Sequence, residues 1–410
     1  MRRSILLCSM SLIAFFALIP GMTPFPIPGR TSLHTQSASR TPDSGTPDGD
    51  IWVYGGALCF WNGAALRFDK EVGSKEFYTW FLNESPYRES AVPLNGGSLL
   101  SGALDGRSMY VLDDTPLAFG ELTLNEVTAC GELNIESGIL RACSIRAADG
   151  VFIGIGCQVY AEREISSGGF IECSGGVIEA GSLDARRIWF DSAGAELRVS
   201  VSGSVLTGYY TQEGGEVAIG GGLYSLVTAP GDKRAGISVN GEYARHNGTS
   251  LKVGGDIVST GEAGSIEIGG GTAFGGLDET GLRVYQSLRS GKKDGSLPVY
   301  TQTAKSAEHL PDVTVWVGGD MKTSRSASFF TGNTFIRGVL ELRGTGGGVS
   351  IFGGVLNASD MRVAGRLDIG TENDYYGLNN DITVFIANEI RVDGAVNIAG
   401  GTVYEGILLG

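Results

Sequence analysis

A fourteen-residue pattern occurs twice in this chain, as NEVTACGELNIESG from Asn125 to Gly138 and as NEIRVDGAVNIAGG from Asn388 to Gly401, and the two align without a gap. Apolar residues two apart point to the same face of a strand. The glycine between the apolar pairs permits a bend or a bulge. Each copy therefore reads as two very short strands meeting at a glycine corner. A unit of this size cannot bury its apolar face alone and must stack on copies of itself, which is the logic of a solenoid.

Further copies support this. EISSGGFIECSGG (Glu164–Gly176) and DMRVAGRLDIG (Asp360–Gly370) follow the same pattern, and DIVSTGEAGSIEIGGG (Asp256–Gly271) follows it with three extra residues. A second echo reads LKVGGDI, VWVGGDM and VFIANEI, starting at Leu251, Val315 and Val384. A third reads IGGGTAF, FTGNTFI and IAGGTVY, starting at Ile268, Phe330 and Ile398. Successive copies of the first pattern start 38, 92, 104 and 29 residues apart, counted from the acidic residue that opens each. That irregularity suits a parallel β-helix and not a propeller. Composition agrees: 65 glycines against 12 prolines with no Gly-X-Y period exclude collagen, and 42% hydrophobic residues exclude a flexible glycine-rich linker. The predicted fold class is all-β: an irregular, Gly-rich, parallel β-helix-like solenoid with a distinct N-terminal cap and almost no helix outside the leader. Period two also fixes parity. Val127, Ala129, Leu133 and Ile135 are expected to face inward, Cys130 outward and Cys173 into the core.

The chain divides by composition. Residues 1–39 read as a signal peptide: Arg2 and Arg3 precede an apolar run from Ile5 to Ile19 that is short for a membrane span. Residues 40–50 form a linker or N-terminal arm, and 51–118 an aromatic-rich cap holding Trp52, Trp61 and Trp80. Solenoid repeats are expected over 119–277 and 313–410, separated by a polar insertion at 278–312. The mature chain is expected to be exported and to carry no transmembrane segment.

Chemistry is sparse. A formal charge of −14 disfavours nucleic acid as a partner. Asp113 and Asp114 are adjacent, so on a strand they diverge and make a poor acid/base pair. The recurring acidic residue (Glu126, Glu164, Asp256, Asp360, Glu389) reads as a turn carboxylate. Two histidines outside the leader's neighbourhood, His246 and His309, give no persuasive triad, and GTGGG at Gly344–Gly348 lacks the strand–helix context of a phosphate loop. No enzyme activity and no cofactor are expected. The loop TENDYYGLNND gathers Glu372, Asp374 and Asp381 as weak calcium candidates without matching a known calcium loop. Asn247 and Asn357 stand in sequons open to glycosylation on an exported chain; the sequon at Asn83 is weakened by Pro86. Removing the leader leaves five cysteines, Cys59, Cys130, Cys143, Cys157 and Cys173, as disulfide candidates. Five is odd, so one thiol stays free or pairs with another molecule. Their spacing fits no zinc pattern.

With these copies the chain resembles exported microbial β-solenoid surface proteins: adhesins, autotransporter passengers and sheath or surface-layer proteins. It looks most like the major protein of a tubular archaeal sheath of the kind that encloses methanogen filaments. That resemblance implies a self-assembling structural protein of the cell surface, its β-sheet hoops reinforced by disulfides and its partner a further copy of itself. A β-helix adhesin and a carbohydrate-active β-helix enzyme are the alternatives.

Overall fold

The structure is a computed structural model. It describes residues 51–54, 57–60, 92–93, 106–111, 113–114, 116–192, 195–227, 236–240, 248–261, 264–269, 276–277, 283–284, 313–370 and 382–406, all within the unit Pro47–Gly410. The leader, most of the polar insertion, and the loop carrying Glu372, Asp374 and Asp381 lie outside the described residues.

The described residues contain no helix; they are parallel strands stacked as a β-solenoid of about eleven turns. Each turn has three walls. On the first wall the inward residues stack as Met109, Val127, Ile145, Ile165, Leu183, Val205, Leu223, Ile257, Met321, Leu340, Met361 and Ile390. By these residue numbers eight turns take 18 to 22 residues, and three take 34, 64 and 29, because a segment leaves the coil and returns. One inward column of the second wall runs Leu117, Ile135, Ile153, Cys173, Phe190, Gln212, Val239, Ile268, Phe329, Ile351, Ile369 and Ile398. The third wall stacks Leu122, Leu140, Val159, Ile178, Val199, Val217, Leu251, Val315, Thr334, Leu356, Val384 and Val403 in the same way.

The three sequence echoes are the three corners of this triangle. The long pattern runs from first wall to second, the VGGD echo from third to first, and the GGT echo from second to third. The acidic copies mark only some turns. At the corner before the first wall the stacked positions hold Glu126, Ser144, Glu164 and Ser182 in succession, so a search for the acid skips every second turn there.

Parity falls as the alternation requires: Val127, Ala129, Leu133, Ile135 and Cys173 are buried, and Cys130 is half-buried at a corner. The interior is a single apolar column system from Val53 to Ile386. Several of its polar members are bonded. The Tyr210 hydroxyl donates to Gln212 Oε1 at 3.1 Å, and Gln212 Nε2 donates to the carbonyls of Gly214, Gly215 and Ser250. At the inner end of the first wall Ser225 and Thr323 donate to the carbonyls of Gly208 and Gly264. These bonds satisfy corner carbonyls that the ladder leaves over.

The two ends differ. At the N-terminal end Ile51–Tyr54 extends the first wall in parallel onto Met109–Val111, and Ala57–Phe60 and then Val92–Pro93 add antiparallel strands beyond it. At the C-terminal end the last described turn consists of Ile390–Val392, Val396–Ile398 and Thr402–Glu405, each paired on one side among the described residues.

Candidate functional site

The corner before the first wall is built from stacked glycines. Gly203 N–H donates to Gly181 O at 2.7 Å, Gly221 to Gly203 at 2.7 Å, Gly255 to Gly221 at 2.8 Å and Gly319 to Gly255 at 3.0 Å. A Cβ on Gly254 would lie 2.3 Å from the carbonyl oxygen of Gly220, and one on Gly318 2.2 Å from that of Gly254. Turns stack this closely only without side chains, which explains the glycine content.

The carboxylates flagged in the sequence belong to the same corner. Asp256 Oδ1 accepts the Asp320 N–H at 2.9 Å, and Asp320 Oδ1 accepts the Val339 N–H at 2.9 Å. Each carboxylate thus holds the next turn down by its backbone. Lys322 Nζ lies 2.7 Å from Asp320 Oδ2 and 3.7 Å from Asp256 Oδ2. Burial works against the Asp320 carboxylate, but the Lys322 and Val339 hydrogen bonds and the Lys322 charge outweigh it and hold its pKa below the ordinary value. Asp114 has a similar place at another corner, where Oδ1 accepts the Glu132 N–H at 3.2 Å. Glu126 and Glu164 pair with Arg163 and Arg146. Apart from the Lys322–Asp320 contact, which lies within one turn, these are bonds between turns. Among the described residues no group of three or more His, Cys, Asp or Glu could hold a metal ion, and no helix is long and apolar enough to cross a membrane.

The cysteines separate by position. Cys157 and Cys173 are fully buried, and burial pushes the Cys173 thiol up to about 12. They cannot reach another molecule. Cys143 is half-buried at a wall junction, where its thiol donates to Glu162 Oε2 at 3.5 Å. Burial and then the Glu162 carboxylate raise its pKa, so its thiolate is scarce at neutral pH. The backbone of Cys59 sits opposite Trp52 in the antiparallel pair at the N-terminal end. Asn247 lies outside the described residues. Asn357 lies on the third wall, facing outward and half-buried.

Two surfaces complete the description of the solenoid's exterior. The first is an outward column on the third wall that runs Trp316, Phe335, Asn357, Phe385, Tyr404. Trp316 and Phe335 stack with centroids 4.2 Å apart, and Phe385 and Tyr404 with centroids 4.8 Å apart. The aromatic is the middle residue of VWV, TFI, VFI and VYE in the second and third echoes, a signal visible once those echoes are aligned. The second surface is the last turn. Val396 and Ile398 end the two inward columns of the second wall, yet they are 54% and 56% exposed, whereas Leu367 and Ile369 one turn earlier are buried. Ile390, Val392 and Val403 beside them are only partly covered. In comparisons with family models, with curated proteins and with solved structures, nothing matches this chain.

Proposed function

We propose that this chain is a structural, self-assembling protein of the sheath or surface-layer type, exported and built into a β-sheet-rich polymer by contacts between copies. The observation that carries the reading is the last turn. Its inward-facing Val396 and Ile398 are bare, and its three strands each pair on one side. A core cross-section whose edge strands have no strand partner on one side among the described residues is a template for another chain. The opposite end is dressed differently, with antiparallel strands laid over the first wall. That asymmetry favours joining through one end. Among the described residues the corner carboxylates of Asp114, Asp256 and Asp320 are spent on bonds between turns.

A disulfide-locked polymer would need a reactive thiol at a surface. Cys130 and Cys143 are the half-buried candidates: the raised pKa of Cys143 slows its exchange, and Cys130 at its corner is the candidate for a covalent lock added to the contact between ends.

The test is sedimentation of the purified chain, wild type against Ile398→Asp. The wild type is expected to form large species that pellet, and the variant to stay monomeric with its circular dichroism unchanged. A wild type that remains monomeric at high concentration, its last turn covered by its own residues 407–410, would overturn the reading. Electrophoresis with and without reductant on the same polymer reads out any covalent lock.

A further inference from the structure

The aromatic column on the third wall is interrupted once, by Asn357. Phe335 precedes it and Phe385 follows it, one turn away on either side. Each phenylalanine has one ring face taken by its stacking partner, Trp316 or Tyr404. Rings stacked along the column lie across it, so the remaining face of each is turned toward the Asn357 turn. Neighbouring strands are about 4.8 Å apart, so the two rings flank a slot two spacings wide, about as much as one further plate at ordinary stacking distance requires. No hydrogen bond among the described residues holds the Asn357 side chain.

The lining of the slot is neutral on one side, and on the other Arg337 stands two residues on from Phe335. The outward column beside the aromatics reads Thr314, Asn333, Val355, Thr383, Thr402. On a chain with a formal charge of −14, these two columns carry no acidic residue, and they offer hydroxyls and an amide next to the ring faces. That combination suits an uncharged polyhydroxylated ring. The sequence supplies the covalent handle: Asn357-Ala358-Ser359 is a sequon without proline, and parity puts the asparagine outside and Ala358 inside.

We propose that Asn357 is an N-glycosylation site whose first sugar sits between Phe335 and Phe385 as the missing member of the ladder. The proposal rests on the export of the chain proposed under its function, since the donor is met during export. In the transfer, Asn357 Nδ2 forms a bond to the anomeric carbon of a lipid-phosphate-linked oligosaccharide. The bond from that carbon to the phosphate oxygen breaks, its electron pair stays on the lipid phosphate, and a base of the transferase takes the amide proton. The transferase acts on the extended chain. Folding then closes the turns around the sugar, whose C–H faces meet the electron-rich ring faces. The glycan also covers a wall that would otherwise be free to pack sideways, which leaves the bare end as the route of assembly.

The experiment is peptide mass spectrometry on the native protein from its source cells. Trypsin releases Gly344–Arg362, which contains Asn357. The expected result is a glycan mass on that peptide, lost in Asn357→Gln, with enzymatic release of the glycan leaving aspartate at 357. Finding the peptide wholly unmodified overturns the proposal. The N-terminal peptide in the same digest tells whether the export reading falls with it: a removed leader keeps that reading, an intact leader sinks both. The clamp has its own readout. Glycosylated wild type should melt higher than the same protein after glycan release, and Phe385→Ala should abolish that gap while leaving occupancy of Asn357 unchanged. An equal gap in Phe385→Ala shows a glycan outside the slot and overturns the clamp.

Discussion

The early turns and the late turns of the solenoid are held together by different means. Between residues 117 and 191 the strands are long, 13 to 17 residues apart from Gly150–Ile153, and run through the corners from wall to wall. Charges bridge their turns: Arg141 to Glu121 at 3.0 Å, Arg146 to Glu164 at 2.7 Å, Arg187 to Glu172 at 3.9 Å, and Arg163 back two turns to Glu126 at 3.1 Å. After Val313 most strands are 3 to 5 residues long, with two longer exceptions. Arginine there pairs within its own strand, as in Arg343 with Glu341, Arg366 with Asp368 and Arg391 with Asp393. Such pairs do nothing to hold one turn to the next. Stacked rings and the Asp256–Asp320–Val339 relay hold the late turns instead. The same stacking geometry is thus reached mainly with arginine–carboxylate bridges in one half and mainly with ring faces and carboxylates that accept backbone N–H groups in the other, with Lys322 to Asp256 as a cross-turn charge pair among the late turns and Asp114 as a backbone acceptor among the early ones.

In a stack where each turn touches only its neighbours, stability is local and can be read turn by turn from hydrogen exchange. The largest contrast is between equivalent residues one turn apart. Ile369 is buried, and Ile369→Ala should cost about 2–5 kcal/mol in the opening of the late turns. Ile398→Ala, at the same column position on the bare end, should change monomer stability by less than about 0.5 kcal/mol while weakening sedimentation. Equal costs would show that Ile398 is covered in the monomer and that the two ends are alike. Next in size is the corner. Gly254→Ala drives a Cβ into the Gly220 carbonyl and should cost about 1–3 kcal/mol, centred on the turns around 220–257. Gly346, where a Cβ meets nothing within 4 Å, is the control, and Gly346→Ala should be near neutral.

Much of this fold was legible because strand parity survives any irregularity of spacing. The inward set Val127, Ala129, Leu133, Ile135 follows from alternation alone, and so does a buried Cys173. The turn period was not legible. The residue before the first wall can be an acid, Ser144 or Val339, since it lies outside the inward columns and only some turns use it to hold a backbone N–H. The aromatic ladder was hidden for a different reason. Trp316 and Phe335 are 19 residues apart, and only the register of the third wall makes them neighbours. A pairwise contact across turns needs the length of every intervening turn, which a single sequence with excursions does not reveal.

Acid should separate the halves by sign. Asp320 has a lowered pKa, so its contribution is present above the ordinary carboxylate range and is lost as pH falls through the folded value. Glu172 is the reverse. Burial raises its pKa against the opposing pull of Arg187, so it destabilises the fold increasingly as pH rises from the ordinary value through the raised one. Asp320→Asn should therefore lower the melting temperature at pH 7, and Glu172→Gln should raise it, each by on the order of 2 °C. Both differences should shrink toward pH 3. Shifts of the same sign at pH 7 would mean that the two carboxylates share one environment and that the contrast between the halves is not electrostatic.

The smallest effect is salt. The early cross-turn pairs are solvent-exposed, and such pairs contribute roughly 0.2–1 kcal/mol each. Raising sodium chloride from low salt to 1 M shortens the screening length to about 3 Å, which removes most of that. Exchange from turns 117–191 should quicken by an amount equal to a few tenths of a kcal/mol per pair. Exchange from 313–369 should hold constant or slow, because breaking a pair within one strand leaves the contact between neighbouring turns intact and ring stacking is indifferent to salt. Comparing the halves inside one molecule cancels any general effect of salt on apolar burial. If both halves respond alike, the arginine pairs of the early turns are decoration, and the stack there rests on its backbone ladder and apolar columns alone.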